Sequence, residues 1–200
     1  MAIVSRKKNE LQCKVVYYGP GRGGNTTNLF TIHKAVASKV RGQLISIHTA
    51  GDRTIFFDFM PMDLGTVKNM NIKISVYTVP GQVIYNDTRK VVLRGVDGIV
   101  FVADSLEIRQ THNLESLSNL QDNLRELGRE LTDMPLVLQY NKRDLNGTSQ
   151  LMSVSQLDRD LNADHLYRAF PASALVGPGV KETFKQICML TVANVCKQFL

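Results

Sequence analysis

The stretch GPGRGGNTTN, Gly19–Asn28, decides how the rest of the chain is read. It fits G-x-x-x-x-G-K-[ST] at every fixed position except the lysine, where Asn25 stands. It also fits G-x-G-x-x-G through Gly19, Gly21 and Gly24. Both patterns work by the same physics. Small residues let backbone N–H groups approach phosphate oxygens, and the start of a helix adds partial positive charge. A plain tight turn is the third possibility. On these ten residues alone the three stay open.

Both phosphate patterns require a strand before the loop and a helix after it. CKVVYY (13–18) reads as that strand. Leu29, Ile32, Val36 and Val40 recur at helical spacing behind the loop. Further on, TIFFDFM (54–60) and IKISVYT (72–78) read as strands joined by the turn-rich PMDLGTVKNMN, so the pair is expected to be antiparallel. GIVFVAD (98–104) and PLVLQYN (135–141) are continuously apolar, as strands buried on both faces should be. Leu114, Leu117, Leu120, Leu124, Leu127 and Leu131 trace a helical stripe of core-packing type. A short helix is expected within 153–163, a last strand at LYRAFPA (166–172), and a closing helix from Val180 to Phe199. Strands alternating with helices predict a mostly parallel sheet covered on both faces, with ligands beyond the carboxyl ends of the strands.

The chain has 200 residues, 44% of them apolar and 21% charged, which suits one globular unit of ordinary size. Residues 1–10 read as a flexible basic tail with its cations at Arg6, Lys7 and Lys8, and 11–200 as a single domain. Cys13, Cys188 and Cys196 are too few and scattered for a disulfide framework, which predicts a reducing, cytoplasmic setting. No apolar run approaches the ~18 residues that a membrane span needs. The start, with Ala2, carries neither a leader nor a myristoylation motif, and Cys196 lies one residue too far from the end for prenylation. His33, His48, His112 and His165 have no metal-ligand spacing. The net charge of +6 is compatible with nucleic acid, anionic lipid, an acidic partner or a polyphosphate; the cations are spread along the chain, and no nucleic-acid partner is expected.

The remaining motifs separate the readings of the loop. A dinucleotide site wants an acid about 20 residues on, at the end of the second strand. The corresponding QLIS (43–46) has none, so a dinucleotide-dependent oxidoreductase is a distant alternative. NKRD (141–144), by contrast, follows a buried strand and matches N-K-x-D. A carboxylate at Asp144 can accept hydrogen bonds from guanine N1–H and its exocyclic amine, a donor pair that adenine lacks. Asn141 can tie this loop to the base and to the phosphate loop, and the Lys142 stem can lie along the base. PASAL (171–175) follows the last strand, where Ser173 and the Ala174 N–H could meet the guanine carbonyl. Three such loops in this order reject a chance match.

These residues resemble the Ras-like small GTPases, and most of all the bacterial gliding-motility group known as MglA. The likeness rests on YYGPG…TTNL, DRTIFFDF (52–59), YTVPGQ (77–82), RKVVLRGVDGIVFVADS (89–105) and NKRDL (141–145), and it spans about 11–196. Thr78 stands where most small GTPases have aspartate, and this group has threonine there. The resemblance implies a three-layer P-loop GTPase fold with about six strands and five helices. It implies GTP or GDP with Mg2+ as cofactor, phosphate contacts at Gly19, Pro20, Gly21, Gly24, Asn25, Thr26 and Thr27, and magnesium at Thr26 and Thr54. It assigns Arg53 as a built-in arginine finger and Gln82 as the residue that orients the attacking water. Its usual partners are a roadblock-type activating protein and polar scaffold proteins, and its usual setting is a cytoplasmic switch recruited to a cell pole.

Asn25 departs from this pattern. An amide can donate a hydrogen bond but cannot balance a polyanion. Loss of one partner of a buried charge contact costs roughly 2–5 kcal/mol, or about 30-fold to several-thousand-fold in affinity. Arg22 is a cation in the same loop, but a mid-loop side chain is expected to point outward. The leading expectation is a switch with weakened nucleotide binding and little hydrolysis that signals through protein contacts. The alternative is a working GTPase that cycles between GDP and GTP.

Overall fold

The computed structural model describes residues 2–48, 56–67 and 69–199. In chain order the elements are β1 (Ile3–Ser5), β2 (Glu10–Tyr18), α1 (Asn25–Ala35), β3 (Ile45–His48), β4 (Phe56–Val67), β5 (Met70–Thr78), α2 (Asn86–Leu93), β6 (Gly98–Asp104), α3 (Gln110–Glu126), β7 (Leu136–Asn141), α4 (Val154–Leu161), β8 (Arg168–Pro171) and α5 (Val180–Phe199). The sheet order is β3-β4-β5-β2-β6-β7-β8, with β1 also paired to β2. β4 is antiparallel to both β3 and β5, β1 is antiparallel to β2, and the remaining pairs are parallel.

Strand β2 shows why the fold has three layers. Its side chains alternate between faces, as a two-residue period dictates. Leu11, Cys13, Val15 and Tyr17 enter one core with Leu29 and Ile32 of α1 and Val180 and Ile187 of α5. Val16 and Tyr18 enter the other with Leu120 and Leu124 of α3 and Leu157 of α4. Strands β6 and β7 are buried at every position. That agrees with their unbroken apolar sequence.

The sheet has eight strands rather than about six. The two that were not foreseen are β1 and β3, of three and four residues. Both are edge pieces without an apolar run; Ile3 and Ile45 are exposed. Within the stretch read as a loose tail, Ile3–Ser5 pair with β2, and Arg6–Lys8 form a 3-10 turn closed by Asn9 in the left-handed region. The β4–β5 connection is also tighter than PMDLGTVKNMN suggested. The strands continue to Val67 and from Met70, with a register shift between Asp63 and Thr66. Gly65 (φ 85°) allows that irregularity, and Asp63 Oδ1 accepts its N–H at 3.0 Å. The leucine stripe is shorter than its periodicity implied: α3 ends at Glu126, Leu114 is exposed and Leu131 lies in a 3-10 turn. Among the described residues no helix is long and apolar enough to cross a membrane.

Candidate functional site

The glycine loop leaves the carboxyl end of β2 and feeds directly into α1. Gly24 caps the helix at φ 108°, a conformation that favours glycine. A Cβ there would lie 2.2 Å from Asn141 Nδ2, so the position also needs the missing side chain for space. Gly81 is held as closely: its Cβ would lie 2.4 Å from Gly21 Cα. A cavity of about 180 Å³ lies between the loop and Val79, Pro80 and Gly81. Asn25 reaches into this region. It is 6% exposed, its Nδ2 lies a long 3.5 Å from the Val79 carbonyl, and among the described residues its Oδ1 has no hydrogen-bond partner. Arg22 is exposed, at φ 63°. Thr27 is half-buried on the first turn of α1.

The N-K-x-D loop and the loop after β8 close on the glycine loop from the other side. Asn141 ends β7 and is 2% exposed. Its Nδ2 donates to the Gly23 carbonyl at 2.7 Å, and its Oδ1 accepts the Ala174 N–H at 2.7 Å. One amide therefore ties three loops. It also uses the Ala174 N–H that the sequence reading left for the guanine carbonyl. Ser173 Oγ accepts from the Val176 N–H at 3.1 Å and shapes the same turn. Lys142 sits in the left-handed region at φ 69°, a local strain of the sort that clusters at binding sites. Its Nζ lies 2.6 Å from Asp104 Oδ2. Asp144 is exposed and makes no hydrogen bond or ion pair among the described residues, so both its oxygens are available.

Two groups that sequence reasoning missed complete these loops. Asp104, fully buried at the end of β6, takes Lys142 and also lies 3.6 Å from Arg109 Nε. Arg109 Nη2 donates to the Gly21 carbonyl at 2.6 Å. The chain Gly21–Arg109–Asp104–Lys142 is thus a second tie between the glycine loop and the N-K-x-D loop. The acid that closes the apolar run GIVFVAD was a signal for it.

The second missed group is Asp58. In the sequence it is one acid inside the strand TIFFDFM, with no motif to mark it. It is 2% exposed, and three hydroxyls surround its carboxylate: Thr26 Oγ1 donates at 2.7 Å, Ser46 Oγ at 2.7 Å and Thr78 Oγ1 at 3.0 Å. Among the described residues no cation pairs with it. Burying a carboxylate is costly unless its charge is met, and this one touches the Thr26 hydroxyl at the head of α1. Thr78 holds it in place, since its Oγ1 also accepts the Asp58 N–H at 3.0 Å. No cluster of three or more metal-ligating side chains exists among the described residues. A hydroxyl and one carboxylate are instead the donor set of a hard cation that keeps its waters, as Mg2+ does.

Arg53 and Thr54 lie outside the described residues. Gln82 is exposed and faces a cavity of about 350 Å³ shared with Pro20, Gly21, Arg109 and His112. Behind the loop, burial raises the Tyr18 phenol above its ordinary value of 10.0, although the Arg89 guanidinium pulls the other way. The residue stays neutral, with its O–H donated to Asn119 Oδ1 at 2.6 Å. A groove of about 910 Å³ between the β4–β5 hairpin and α5 is almost wholly apolar and includes none of these loop residues. Converging polar groups, not size, mark the site.

Residues 5–191 match the model of the ADP-ribosylation factor family. The mutual gliding-motility protein MglA of Myxococcus xanthus is 44% identical over 197 residues, which is 98% of this chain and 99% of that protein. The GTPase Obg of Desulfitobacterium hafniense is 32% identical over 84 residues, 42% of this chain and 19% of Obg. The glycine loop, the N-K-x-D loop and the three-layer sheet thus agree with two independent comparisons: the chain belongs to the Arf/Ras-like small GTPases, in the MglA group.

Proposed function

We propose that the chain is a guanine-nucleotide-dependent regulator of cell polarity or gliding motility whose grip on the nucleotide phosphates is weakened at Asn25, and which acts through protein contacts. One observation carries this reading. The Asn141 amide clamps the guanine and phosphate loops together at 2.7 Å on both sides, while the residue at the head of α1 is a neutral amide with an orphan oxygen. A guanine nucleotide fits what is present: Asp144 for the base edge, the backbone N–H groups of the loop and the α1 start for phosphate, and Thr26 with Asp58 for magnesium. The ammonium is missing. When bound, the triphosphate supplies a hydrolysable γ-phosphoryl group, and Gln82 with Arg53 would orient water and balance charge there.

The protein-contact part of the proposal is supported by apolar side chains left exposed around α2 and the start of α3: Ile84, Val91, Ile108 and Leu114, at 79%, 46%, 81% and 43%. A roadblock-type activating protein or a polar scaffold would suit such a face, with the protein recruited from the cytoplasm to a pole and 11–200 acting as one unit. A second reading, a working GTP-hydrolysing switch, is favoured by the intact Thr26–Asp58–Thr78 network. The nucleotide content of the purified protein, followed by titration with fluorescent GDP and Mg2+, separates the two. Substoichiometric nucleotide and an affinity weaker than micromolar are expected. Stoichiometric bound nucleotide would refute the weakened reading. Asp144→Asn should abolish any preference for guanine over adenine; an unchanged preference would remove Asp144 from the site.

A further inference from the structure

Arg89 on α2 is 0% exposed, and no part of the function above uses it. Every donor of its guanidinium is engaged. Nε donates to the Pro80 carbonyl at 2.9 Å. Nη1 donates to Asn119 Oδ1 at 2.7 Å and Tyr18 Oη at 3.2 Å. Nη2 donates to the Gly81 carbonyl at 2.5 Å and the Gly19 carbonyl at 3.2 Å. Five N–H groups are all that an arginine has. Its Cζ also lies 4.8 Å from the centre of the Tyr18 ring. Among the described residues it has no carboxylate partner. A guanidinium cannot shed its proton. A charge buried this deeply costs heavily unless an anion compensates it.

The carbonyls that hold it show where that anion belongs. Gly19 opens the phosphate loop, and Pro80 and Gly81 form the opposite wall of the phosphate cavity. In a trans peptide the N–H points opposite to the C=O. Gly19 is followed by Pro20, which has no N–H, but the Pro80 and Gly81 carbonyls turned back to Arg89 turn the following N–H groups forward. In the peptides 80–81 and 81–82 those groups are the N–H of Gly81 and of Gln82. Among the described residues neither is used in a backbone hydrogen bond. Arg89 polarises these peptides and fixes their direction.

We infer that Arg89 is a positioning cation of the phosphate site: acting from behind the loop, it aims the Gly81 and Gln82 N–H groups at the phosphates and supplies part of the positive charge that Asn25 lacks. The inference rests on the nucleotide-binding reading above. The position-25 ammonium and the Arg89 guanidinium serve one polyanion, so their effects must be coupled rather than additive.

The test is a double-mutant cycle, with the Kd of fluorescent GDP·Mg2+ measured for the parent, Asn25→Lys, Arg89→Gln and the double variant, each checked for folding by circular dichroism. In the parent, Arg89→Gln should weaken binding by about tenfold to a hundredfold, the range for hydrogen bonds to a charged group. In the Asn25→Lys background the loss should be smaller. Arg89→Lys, which keeps the charge, should recover part of it, which a purely packing role would not. A loss under about twofold in the parent, or the same loss in both backgrounds, overturns the inference. If Arg89→Gln does not fold, Arg89→Lys decides: binding within about tenfold of the parent supports a charge role, and a greater loss overturns it. If only Asn25→Lys binds, Arg89 does not stand in for the ammonium and the inference fails while the nucleotide reading survives. If neither the parent nor Asn25→Lys binds, the nucleotide reading fails with it.

Discussion

Asn25→Lys restores an ammonium at the head of α1, and its consequences can be estimated from the site. Among the described residues, the amide it replaces makes one long contact, 3.5 Å to the Val79 carbonyl, and its buried Oδ1 has no hydrogen-bond partner. Removing that acceptor relieves about 1–3 kcal/mol. Without nucleotide, the new ammonium replaces a neutral group in a buried position, and the nearby Asp58 carboxylate is already engaged by three hydroxyls. The free protein should therefore be no more stable than the parent. With nucleotide, a charge contact of about 2–5 kcal/mol appears, so the GDP·Mg2+ Kd should fall by about 30-fold or more. Thermal shift provides a second reading. Ligand at about 100 times Kd stabilises by about 2.7 kcal/mol, or roughly 5–10 °C in Tm for a chain of this size. The assay is fluorescent-GDP titration of both proteins beside Tm with and without GDP. A Kd for the variant within about threefold of the parent's would refute the reasoning, because it would mean that the parent already has its charge balanced in front of the loop.

Two other outcomes follow from the geometry. Asp58→Asn keeps the size of the side chain but removes the charge beside Thr26, so the Mg2+ dependence of nucleotide binding should collapse; the ratio of Kd in EDTA to Kd in Mg2+ measures this, and an unchanged ratio would exclude Asp58 from the cation site. Burial pushes the Cys13 and Cys188 thiols up to about 12, so native-state alkylation at pH 8 followed by mass spectrometry should modify the partly exposed Cys196 first. The same shift carries a sign. Above about 8.5 the unfolded thiols ionise while the folded ones do not, so stability should fall with rising pH between about 9 and 12, as urea unfolding at several pH values would show.

Sequence by itself determined the motifs that act through adjacent backbone. A glycine loop and an N-K-x-D turn need only a few consecutive residues of the right type, so the motif matches at Gly19–Thr27 and Asn141–Asp144 can be seen without coordinates. The continuous apolar runs of β6 and β7 were legible for the same reason: burial on both faces leaves no polar position along them. Short edge strands such as β1 and β3 leave no such trace, because pairing on one side demands little of their side chains. Tertiary structure alone decided the groups that meet across long separations. Asp58 and Thr26 are 32 residues apart, Lys142 and Asp104 are 38 apart, and Arg89 and Gly19 are 70 apart. A charge in a strand or helix looks the same in sequence whether it faces water or a site. Only the packing of the sheet shows that Asp58 turns toward Thr26 and that Arg89, far from solvent, is spent on the carbonyls behind the phosphate loop.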